Sequence, residues 1–298
     1  MRVLVTGSEG FVGRRLLPRL EAEGHETIGR DQDLDVTDPQ AVEAALAEIA
    51  PDAVIHLAAL ASVARSQHDR DLTFRVNYLG SRSVFEGVLR AAPGARVVWV
   101  GSGEVYGVAS PGATPFREDD PLRPRSPYAR TKAGADLLAA DYARRGLDVV
   151  RVRPFGHTGP GQSDAFVVPS FAHQLAEIAA GRLEPVLRVG NLDSVRDLLD
   201  VDDVVRAYAA LLSRDVPAGV YNVASGVGRR IGDVLDALAA LAGVTPRVEV
   251  AAERFRPTDH GVGDAGRLHD ACGWSPEIPF ETTLSRVMDD WRERVRGS

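Results

Sequence analysis

The chain has 298 residues, of which 44% are hydrophobic and 26% are charged, so it can form one large globular domain or a domain with a smaller lobe. Its hydrophobic runs are short and broken by charge, so we expect neither a membrane span nor a signal peptide, and we expect a cytoplasmic protein. The formal net charge of −7 argues against a nucleic-acid partner, and the single cysteine, Cys272, cannot form an internal disulfide.

Short apolar runs alternate with segments of helical periodicity in the first half of the chain. The runs predict strands at residues 2–6, 26–29, 53–57, 96–100 and 148–152, and the periodic segments predict helices at residues 11–23, 39–49, 72–91 and 127–145. This alternation is typical of an α/β protein with a parallel sheet covered by helices. We therefore predict a doubly wound, Rossmann-type sheet.

The second half of the chain has a different organisation. A Pro/Gly-rich stretch at residues 154–161 precedes helices predicted at residues 167–180, 201–213, 231–241 and 281–296, with short strands between them. This pattern indicates a smaller C-terminal α/β lobe that binds substrate. An apolar run at residues 219–223 reads as a late strand, so we expect a nucleotide-binding domain at 1–154, a return to it around 200–224, and a substrate lobe at 155–298.

A glycine-rich loop follows the first predicted strand directly. Gly7, Gly10 and Gly13 are spaced three apart and open the first helix. Glycines here allow a tight turn and a close approach of backbone to a pyrophosphate, and free amides at the helix N-terminus attract phosphate. The second strand ends in Arg30 and Asp31, where a carboxylate favours NAD and an arginine favours NADP, so the sequence leaves that preference open.

Tyr128 and Lys132 are four residues apart in a predicted helix, so both side chains lie on one face. A nearby cation favours phenolate, so we expect Lys132 to lower the pKa of Tyr128 and also to hold the nicotinamide ribose. Ser102 follows the strand predicted at residues 96–100, at the edge of the sheet where carbonyl-polarising groups lie in open α/β proteins. These three side chains form the candidate catalytic group.

In order and spacing, these motifs resemble the extended short-chain dehydrogenase/reductase family. The resemblance implies that Ser102 orients a substrate oxygen, that Tyr128 donates a proton to the carbonyl and that Lys132 assists the tyrosine, with NAD or NADP as cofactor and no metal. The cofactor-binding residues implied are Gly7, Gly10, Phe11, Val12, Gly13, Arg30, Asp31, Asp35, Val36, Leu57, Ala58, Ala59, Asn77, Tyr128, Lys132 and Pro154. For Asn77, the alternative to cofactor binding is a structural role as a capping or surface amide.

Three segments of the second half, 153–162, 189–192 and 195–197, are similar to GDP-4-keto-6-deoxy-D-mannose reductases. That resemblance implies reduction of a GDP-linked 4-keto sugar to GDP-D-rhamnose. It departs at Gly156, where the family usually has Asn, so one amide contact to substrate is missing. The implied substrate site comprises Ser62, Val63, Ser102, Glu104, Gly156, Phe166, Val168, Arg196 and Arg256. For its apolar residues the alternative is packing in the core, and for its arginines the alternative is a solvated position on the surface.

Two other functions are weighed against the reductase. Glu104 lies where related nucleotide-sugar 4,6-dehydratases use an acidic residue to remove a proton, so a dehydratase or 4-epimerase with tightly held NAD is the second hypothesis. A non-catalytic nucleotide-binding module is the third, and the intact Ser102, Tyr128 and Lys132 argue against it. The helices predicted at 72–91 and 127–145 resemble a pair that builds a four-helix dimer interface, so we expect a homodimer.

Overall fold

The structure is a computed structural model that describes residues 1–110, 112–251 and 259–297. In chain order its strands are β1 (Arg2–Thr6), β2 (Glu26–Arg30), β3 (Ala53–His56), β4 (Arg96–Val100), β5 (Val149–Pro154), β6 (Gly156–Thr158), β7 (Val186–Val189), β8 (Val195–Asp200), β9 (Val220–Val223), β10 (Gly228–Arg230), β11 (Arg247–Val250) and β12 (His260–Gly261).

The helices follow the sequence periodicity closely at most positions. They are α1 (Gly13–Ala22), α2 (Pro39–Ile49), α3 (Val63–His68), α4 (Arg70–Phe74), α5 (Ser81–Ala91), α6 (Pro127–Arg144), α7 (Val167–Ala179), α8 (Val201–Ala210), α9 (Ile231–Ala242), α10 (Gly266–Cys272) and α11 (Phe280–Gly297). None of the helices in the described ranges is both long enough and apolar enough to cross a membrane.

Six parallel strands form the main sheet in the order β2-β1-β3-β4-β5-β9. The chain runs outward from β1 to β2 and then returns to β3 on the other side of β1. Ligands of open α/β sheets bind at such a reversal, outside the carboxyl ends of the strands. The predicted doubly wound, Rossmann-type fold is confirmed.

Both faces of this sheet are buried, which explains why its strands are almost continuously apolar. Along β1, Val3 and Val5 pack in the core beneath α1, α8 and α10, whereas Leu4 packs in the core beneath α2, α5 and α6. Successive side chains of a strand point to opposite faces, so this alternation follows directly from the strand geometry. The helices are thereby held on both sides of the strand ends that carry the candidate site.

The sheet is completed by segments from far along the chain. β9 pairs with β5 from Arg151 opposite Val220 to Pro154 opposite Val223. Leu268 of α10 and Trp274 after it are buried in the same core as Leu16 of α1. The helix α10 is an element that the sequence analysis does not identify.

The remaining strands and helices form a lobe beside the carboxyl edge of the main sheet. In this lobe β8 pairs with β6, β10 and β12, and β7 pairs with β11. Its apolar core lies between α7, α9 and α11, with Phe171, Leu235 and Met288 among its buried side chains.

The single helix predicted over residues 72–91 is wrong in one respect. A π-helical segment, Arg75–Gly80, joins α4 to α5, so the helix carries one wide turn. Asn77 lies in that turn and is completely buried, where its amide bonds groups of two neighbouring segments. Wide turns of this kind occur frequently at functional sites.

Candidate active site

A cavity of about 830 Å³ lies at the carboxyl ends of β1, β3, β4 and β5, between the main sheet and the lobe. It is large enough for a dinucleotide together with part of a second ligand. The residues predicted from the sequence that line it are Gly7, Gly10, Phe11, Val12, Gly13, Asp31, Leu57, Ala58, Ala59, Val63, Ser102, Glu104, Tyr128, Lys132, Pro154, Gly156, Phe166, Val168 and Arg196. No group of three or more metal-ligating side chains comes together within the described ranges.

The glycine loop is packed so tightly that larger residues would not fit. A Cβ atom on Gly7 would lie 2.8 Å from the backbone nitrogen of Ala58, and one on Gly13 would lie 2.5 Å from the carbonyl oxygen of Gly7. Gly7 also has a φ of +72°, a conformation that side chains rarely adopt. The loop therefore brings bare backbone and the N-terminus of α1 to the cavity, which is the arrangement that binds a pyrophosphate.

The end of β2 presents groups of both charges. Asp31 lines the cavity, and its Oδ2 accepts a hydrogen bond of 3.0 Å from the backbone nitrogen of Glu9. Arg30 does not line the cavity and lies 3.4 Å from Asp33, but Arg14 does line it and was missed from the sequence. The cavity is therefore lined both by an acceptor for ribose hydroxyls, Asp31, and by a cation for a phosphate, Arg14 of α1.

Several residues predicted to bind ligand lie behind the cavity wall instead. The Asp35 carboxylate accepts the backbone N–H of Thr37 at 2.8 Å, and hydrogen bonds from that residue hold the pKa of Asp35 below its usual value. Val36 packs beside Gly80, and Ser62 caps α3. None of the three is among the residues that line this cavity, and their predicted contacts with ligand stay predictions. Arg256 lies outside the described residues.

Asn77 joins the cavity wall to the helix that carries Tyr128. Its Oδ1 accepts the backbone N–H of Leu60 at 2.8 Å, and its Nδ2 donates to the Leu60 carbonyl and to Oγ1 of Thr131, both at 3.2 Å. All of the polar atoms of this buried amide are thereby used. Asn77 is not among the residues that line the cavity, so this structure does not place its side chain against a cofactor there.

His56 supports the same wall in a neutral form. Burial, with a smaller effect of Lys132, lowers its pKa to about 3. Oγ1 of Thr6 lies 2.7 Å from Nδ1 of His56, and the Ser81 hydroxyl donates its proton to the Asn77 carbonyl, so that hydroxyl can only accept from the histidine ring. The proton of the neutral ring is then on Nε2, which lies 3.3 Å from the Ser81 hydroxyl.

Ser102, Tyr128 and Lys132 meet on one wall of the cavity, and all three are buried. Ser126 caps α6, which places Tyr128 in its first turn. Burial raises the pKa of Tyr128 to about 12; a hydrogen bond with Ser102 opposes this, and the charge of Glu104 adds to it. The three candidate groups therefore share one site, at the sheet edge where the sequence analysis expected them.

Lys132 is not among the groups that shift the pKa of Tyr128 in this structure, so its expected effect on the tyrosine stays a prediction. Lys132 donates a hydrogen bond of 2.8 Å from Nζ to the carbonyl oxygen of Val100, and burial lowers its own pKa to about 7. Desolvation is the largest influence on the phenol and disfavours the phenolate, whereas the ammonium is not among the causes of its shift.

A cluster of acidic and basic side chains lies between the lobe and the short helix that follows Ser102. Arg196 lies 2.5 Å from Oδ2 of Asp259 and 3.7 Å from Oε1 of Glu104. Glu104 is 44% exposed, so this second contact is screened by solvent. The guanidinium that the sequence analysis assigns to a substrate diphosphate is thus already paired with carboxylates.

Gly156 lies where the lobe strand β6 packs against β8. A Cβ atom there would be 2.7 Å from the carbonyl oxygen of Asp197 and 2.8 Å from the side chain of Leu198. Gly156, which stands where the family usually has Asn, therefore lies at a point where the backbones of β6 and β8 approach each other closely. Of the apolar residues expected nearby, Phe166 is exposed, whereas Val168 is also part of the core of the lobe.

Among the polar residues of the cavity wall that the sequence analysis missed are His157, Gln162, Asp197 and Tyr208. The ring of His157 stacks on Phe11 with 6.2 Å between centroids, which joins the lobe to the glycine loop. The first three belong to or adjoin the segments that carry the family resemblance, so their position there was the available signal. Tyr208 occupies an ordinary helical apolar position in the sequence and gave none.

A buried polar network lies behind the catalytic helix. Asp136 of α6 is fully buried and accepts hydrogen bonds from Arg151 at 2.9 Å and from two nitrogens of Arg153 at 2.8 and 3.0 Å. Arg153 also donates to the hydroxyl of Tyr106, which in turn donates to Oδ1 of Asn222 on β9. The network ties α6 to β5, to β9 and to the short helix that follows Ser102.

The chain has relatives among known enzymes. Residues 3–224 match the model of the NAD dependent epimerase/dehydratase family. The chain is 36% identical to the GDP-6-deoxy-D-mannose reductase of Pseudomonas aeruginosa, across 99% of this chain and 98% of that protein. The structure of RMD from Pseudomonas aeruginosa complexed with NADPH is similar at a TM-score of 0.88 and 35% identity, over 98% of this chain and 99% of that one. The UDP-glucose 4-epimerase of Thermus thermophilus in complex with NAD gives a TM-score of 0.88 and 32% identity, over 98% and 99%.

Proposed function

Because the chain belongs to the NAD dependent epimerase/dehydratase family, we propose that it reduces GDP-4-keto-6-deoxy-D-mannose to GDP-6-deoxy-D-mannose, which is GDP-D-rhamnose. The observation that carries the proposal is the similarity to a GDP-6-deoxy-D-mannose reductase over almost the whole of both chains. The resemblance inferred from the motifs is confirmed, and the cofactor is a nicotinamide dinucleotide.

We propose that the sheet domain, residues 1–154 with the return at 200–224, binds the dinucleotide, and that the lobe within 155–298 binds the sugar nucleotide. The tight packing around Gly7 and Gly13 supports this assignment, because bare backbone there fits a pyrophosphate. Asp31, at the end of β2, would accept hydrogen bonds from the ribose hydroxyls, and Arg14 of α1 would bind a phosphate, so both NADH and NADPH belong in the assay.

The chemistry requires one hydride and one proton for the keto group. The reduced nicotinamide supplies the hydride when it is bound. Because the pKa of Tyr128 is about 12, its phenol is protonated at neutral pH and can donate that proton to the keto oxygen. Ser102 donates a hydrogen bond to the same oxygen, and the ammonium form of Lys132 stabilises the phenolate that remains. The C=O group thereby becomes CH–OH.

Arg196 is the described residue that best suits the substrate diphosphate. A guanidinium can bind phosphate oxygens bidentately, and Arg196 lines the cavity on the side of the lobe. Its present partners are Asp259 and Glu104, so diphosphate binding would require Arg196 to share or exchange these contacts. This pairing gives Glu104 a charge-balancing position as an alternative to the role of a base.

We also propose a homodimer. Large apolar side chains remain exposed on α4 and α6, which pack against each other: Phe74 is 45% exposed and Leu137 is 63% exposed. Burial of such side chains between two copies is the usual reason for a helical dimer face. Light scattering of the intact protein and of Leu137→Glu tests this, because the charged variant should be monomeric.

The test of the proposed reaction supplies GDP-4-keto-6-deoxy-D-mannose with NADPH or NADH and follows the loss of absorbance of the reduced cofactor. A reductase oxidises one cofactor per molecule of substrate, whereas an epimerase or dehydratase returns its cofactor to the starting state within each turnover. Stoichiometric oxidation with formation of the deoxy sugar nucleotide is expected. Conversion of a nucleotide sugar without net oxidation would establish the rival reaction instead.

A further inference from the structure

Tyr208 stands out among the residues of the cavity because its hydroxyl lacks a hydrogen-bond partner in the part of the chain that the structure describes. The residue is completely buried on α8, and it lines the cavity. Within residues 1–110, 112–251 and 259–297, its hydroxyl meets no hydrogen-bond partner. A buried hydroxyl without a partner costs free energy, and such groups are nearly always bonded in folded proteins.

The surroundings of Tyr208 indicate which part of the cavity it reaches. Its ring packs in the core that contains Val152 of β5, with Val100 of β4 and Val12 of the glycine loop packed against that core. β4 ends at Val100, two residues before Ser102, and β5 ends at Pro154, so both strands lead to the part of the cavity that holds the catalytic group. The ring packs in apolar core, and the hydroxyl is the polar end of a side chain that lines the cavity.

We propose that the Tyr208 hydroxyl is a hydrogen-bond partner of the nicotinamide carboxamide of the bound dinucleotide. A phenol hydroxyl can both donate and accept, and a carboxamide offers one acceptor and one donor, so the two groups are complementary. The inference rests on the proposed function only in requiring that the cavity bind a nicotinamide dinucleotide.

The electrostatics of the two phenols agree with this position. Burial raises the pKa of Tyr208 far above its usual value, and the charge of Tyr128 raises it further, so the two side chains lie close enough to influence each other. Tyr208 therefore stays protonated and acts as a neutral hydrogen-bonding group. It positions the cofactor ring beside Tyr128 and transfers no proton itself.

The test compares Tyr208→Phe with Tyr221→Phe. Tyr221 is a matched control, because it is buried in the same core, does not line the cavity, and donates a hydrogen bond of 2.8 Å to the carbonyl of Pro217. Dissociation constants are measured by titration with NADPH and with ADP-ribose, which lacks the nicotinamide ring, and thermal unfolding is measured without ligand.

For Tyr208→Phe we expect NADPH binding to weaken between about twofold and about tenfold, which is the loss expected for one neutral hydrogen bond. Binding of ADP-ribose should be unchanged. Without ligand this variant should be at least as heat-stable as the wild type, since it loses only an unpartnered hydroxyl, whereas Tyr221→Phe should be less stable and bind NADPH normally.

Equal NADPH affinities of wild type and Tyr208→Phe would overturn the inference, and so would an equal weakening of ADP-ribose binding. A wild-type protein that binds no nicotinamide dinucleotide would instead contradict the proposed function. The two failures are therefore distinguishable in one set of titrations.

Discussion

Replacing Asp136 by Asn tests whether the buried network behind α6 holds the catalytic helix in place. The carboxylate is 0% exposed and accepts three hydrogen bonds, one from Arg151 and two from Arg153. Asparagine is the same size but turns one acceptor into a donor, and it leaves the buried guanidinium of Arg153 and the partly buried one of Arg151 without this counter-charge. Breaking a buried ion pair in this way costs about 3–5 kcal/mol.

The expected fall in melting temperature follows from the size of the chain. At about 2.1 cal/mol/K of unfolding entropy per residue, a chain of this length has an unfolding entropy of about 0.6 kcal/mol/K, so the loss corresponds to about 5–8 °C. Asp141→Asn is the control on the same helix, because Asp141 pairs with Arg144 in solvent at 2.9 Å. An exposed pair contributes less than about 1 kcal/mol, so this variant should melt within about 2 °C of the wild type.

Differential scanning calorimetry at neutral pH measures both variants, and cofactor titration checks that each is folded. If Asp136→Asn melted no lower than Asp141→Asn, the network would not stabilise α6 and the reasoning would be refuted. An equal loss in both variants would mean that helix charge as such, and not the buried contact, sets the stability.

Three further variants test the site. Tyr128→Phe removes the proposed proton donor, so kcat should fall by about 10²–10⁴ while NADPH affinity, measured by fluorescence titration, stays nearly constant; a parallel loss of both would make Tyr128 a binding residue instead. Lys132→Met should raise the free energy of unfolding of the ligand-free protein, and this gain should be largest below about pH 7. Burial lowers the pKa of Lys132 in the folded state to about 7, from its usual 10.5, so below pH 7 the wild type carries the full cost of a buried charge that the variant lacks. That gain should shrink as the pH rises from about 7 towards 10.5, and urea unfolding that shows the gap widening instead would contradict the sign. Gly156→Asn restores the family amide but should lower stability by about 1–3 kcal/mol, since its Cβ would lie 2.7 Å from the Asp197 carbonyl. Calorimetry together with substrate KM checks this, and an unchanged melting temperature with a lower KM would show that the strands separate easily.

The sheet and the catalytic group could be predicted from the sequence because each leaves a local signal. The alternating apolar runs gave β1 to β5 within two residues at each end, and the four-residue spacing of Tyr128 and Lys132 is a property of a single helix. The glycines of the loop were recognisable because their spacing directly follows a strand. In each case the pattern lies within one short stretch of chain.

What could not be predicted depends on contacts between distant segments. The pKa of Tyr128 is set by how deeply the lobe and sheet bury it, which no spacing of residues reveals. The pairing of Arg196 with Asp259 joins residues 63 positions apart, and the close approach at Gly156 depends on the packing of β6 on β8. Nothing in the sequence marks Tyr208, whose hydroxyl is buried without a hydrogen-bond partner among the described residues.

The return of the chain to the main sheet limits how the cavity can open. The backbone passes between sheet and lobe after β5, again between β8 and α8, and again after β9 and after β12. A hinged enzyme swings about one or two linkers, each a few residues long, but here all of these connections would have to bend together. We therefore expect ligands to enter through local movement of rim side chains and loops, with the two walls keeping a fixed separation throughout turnover.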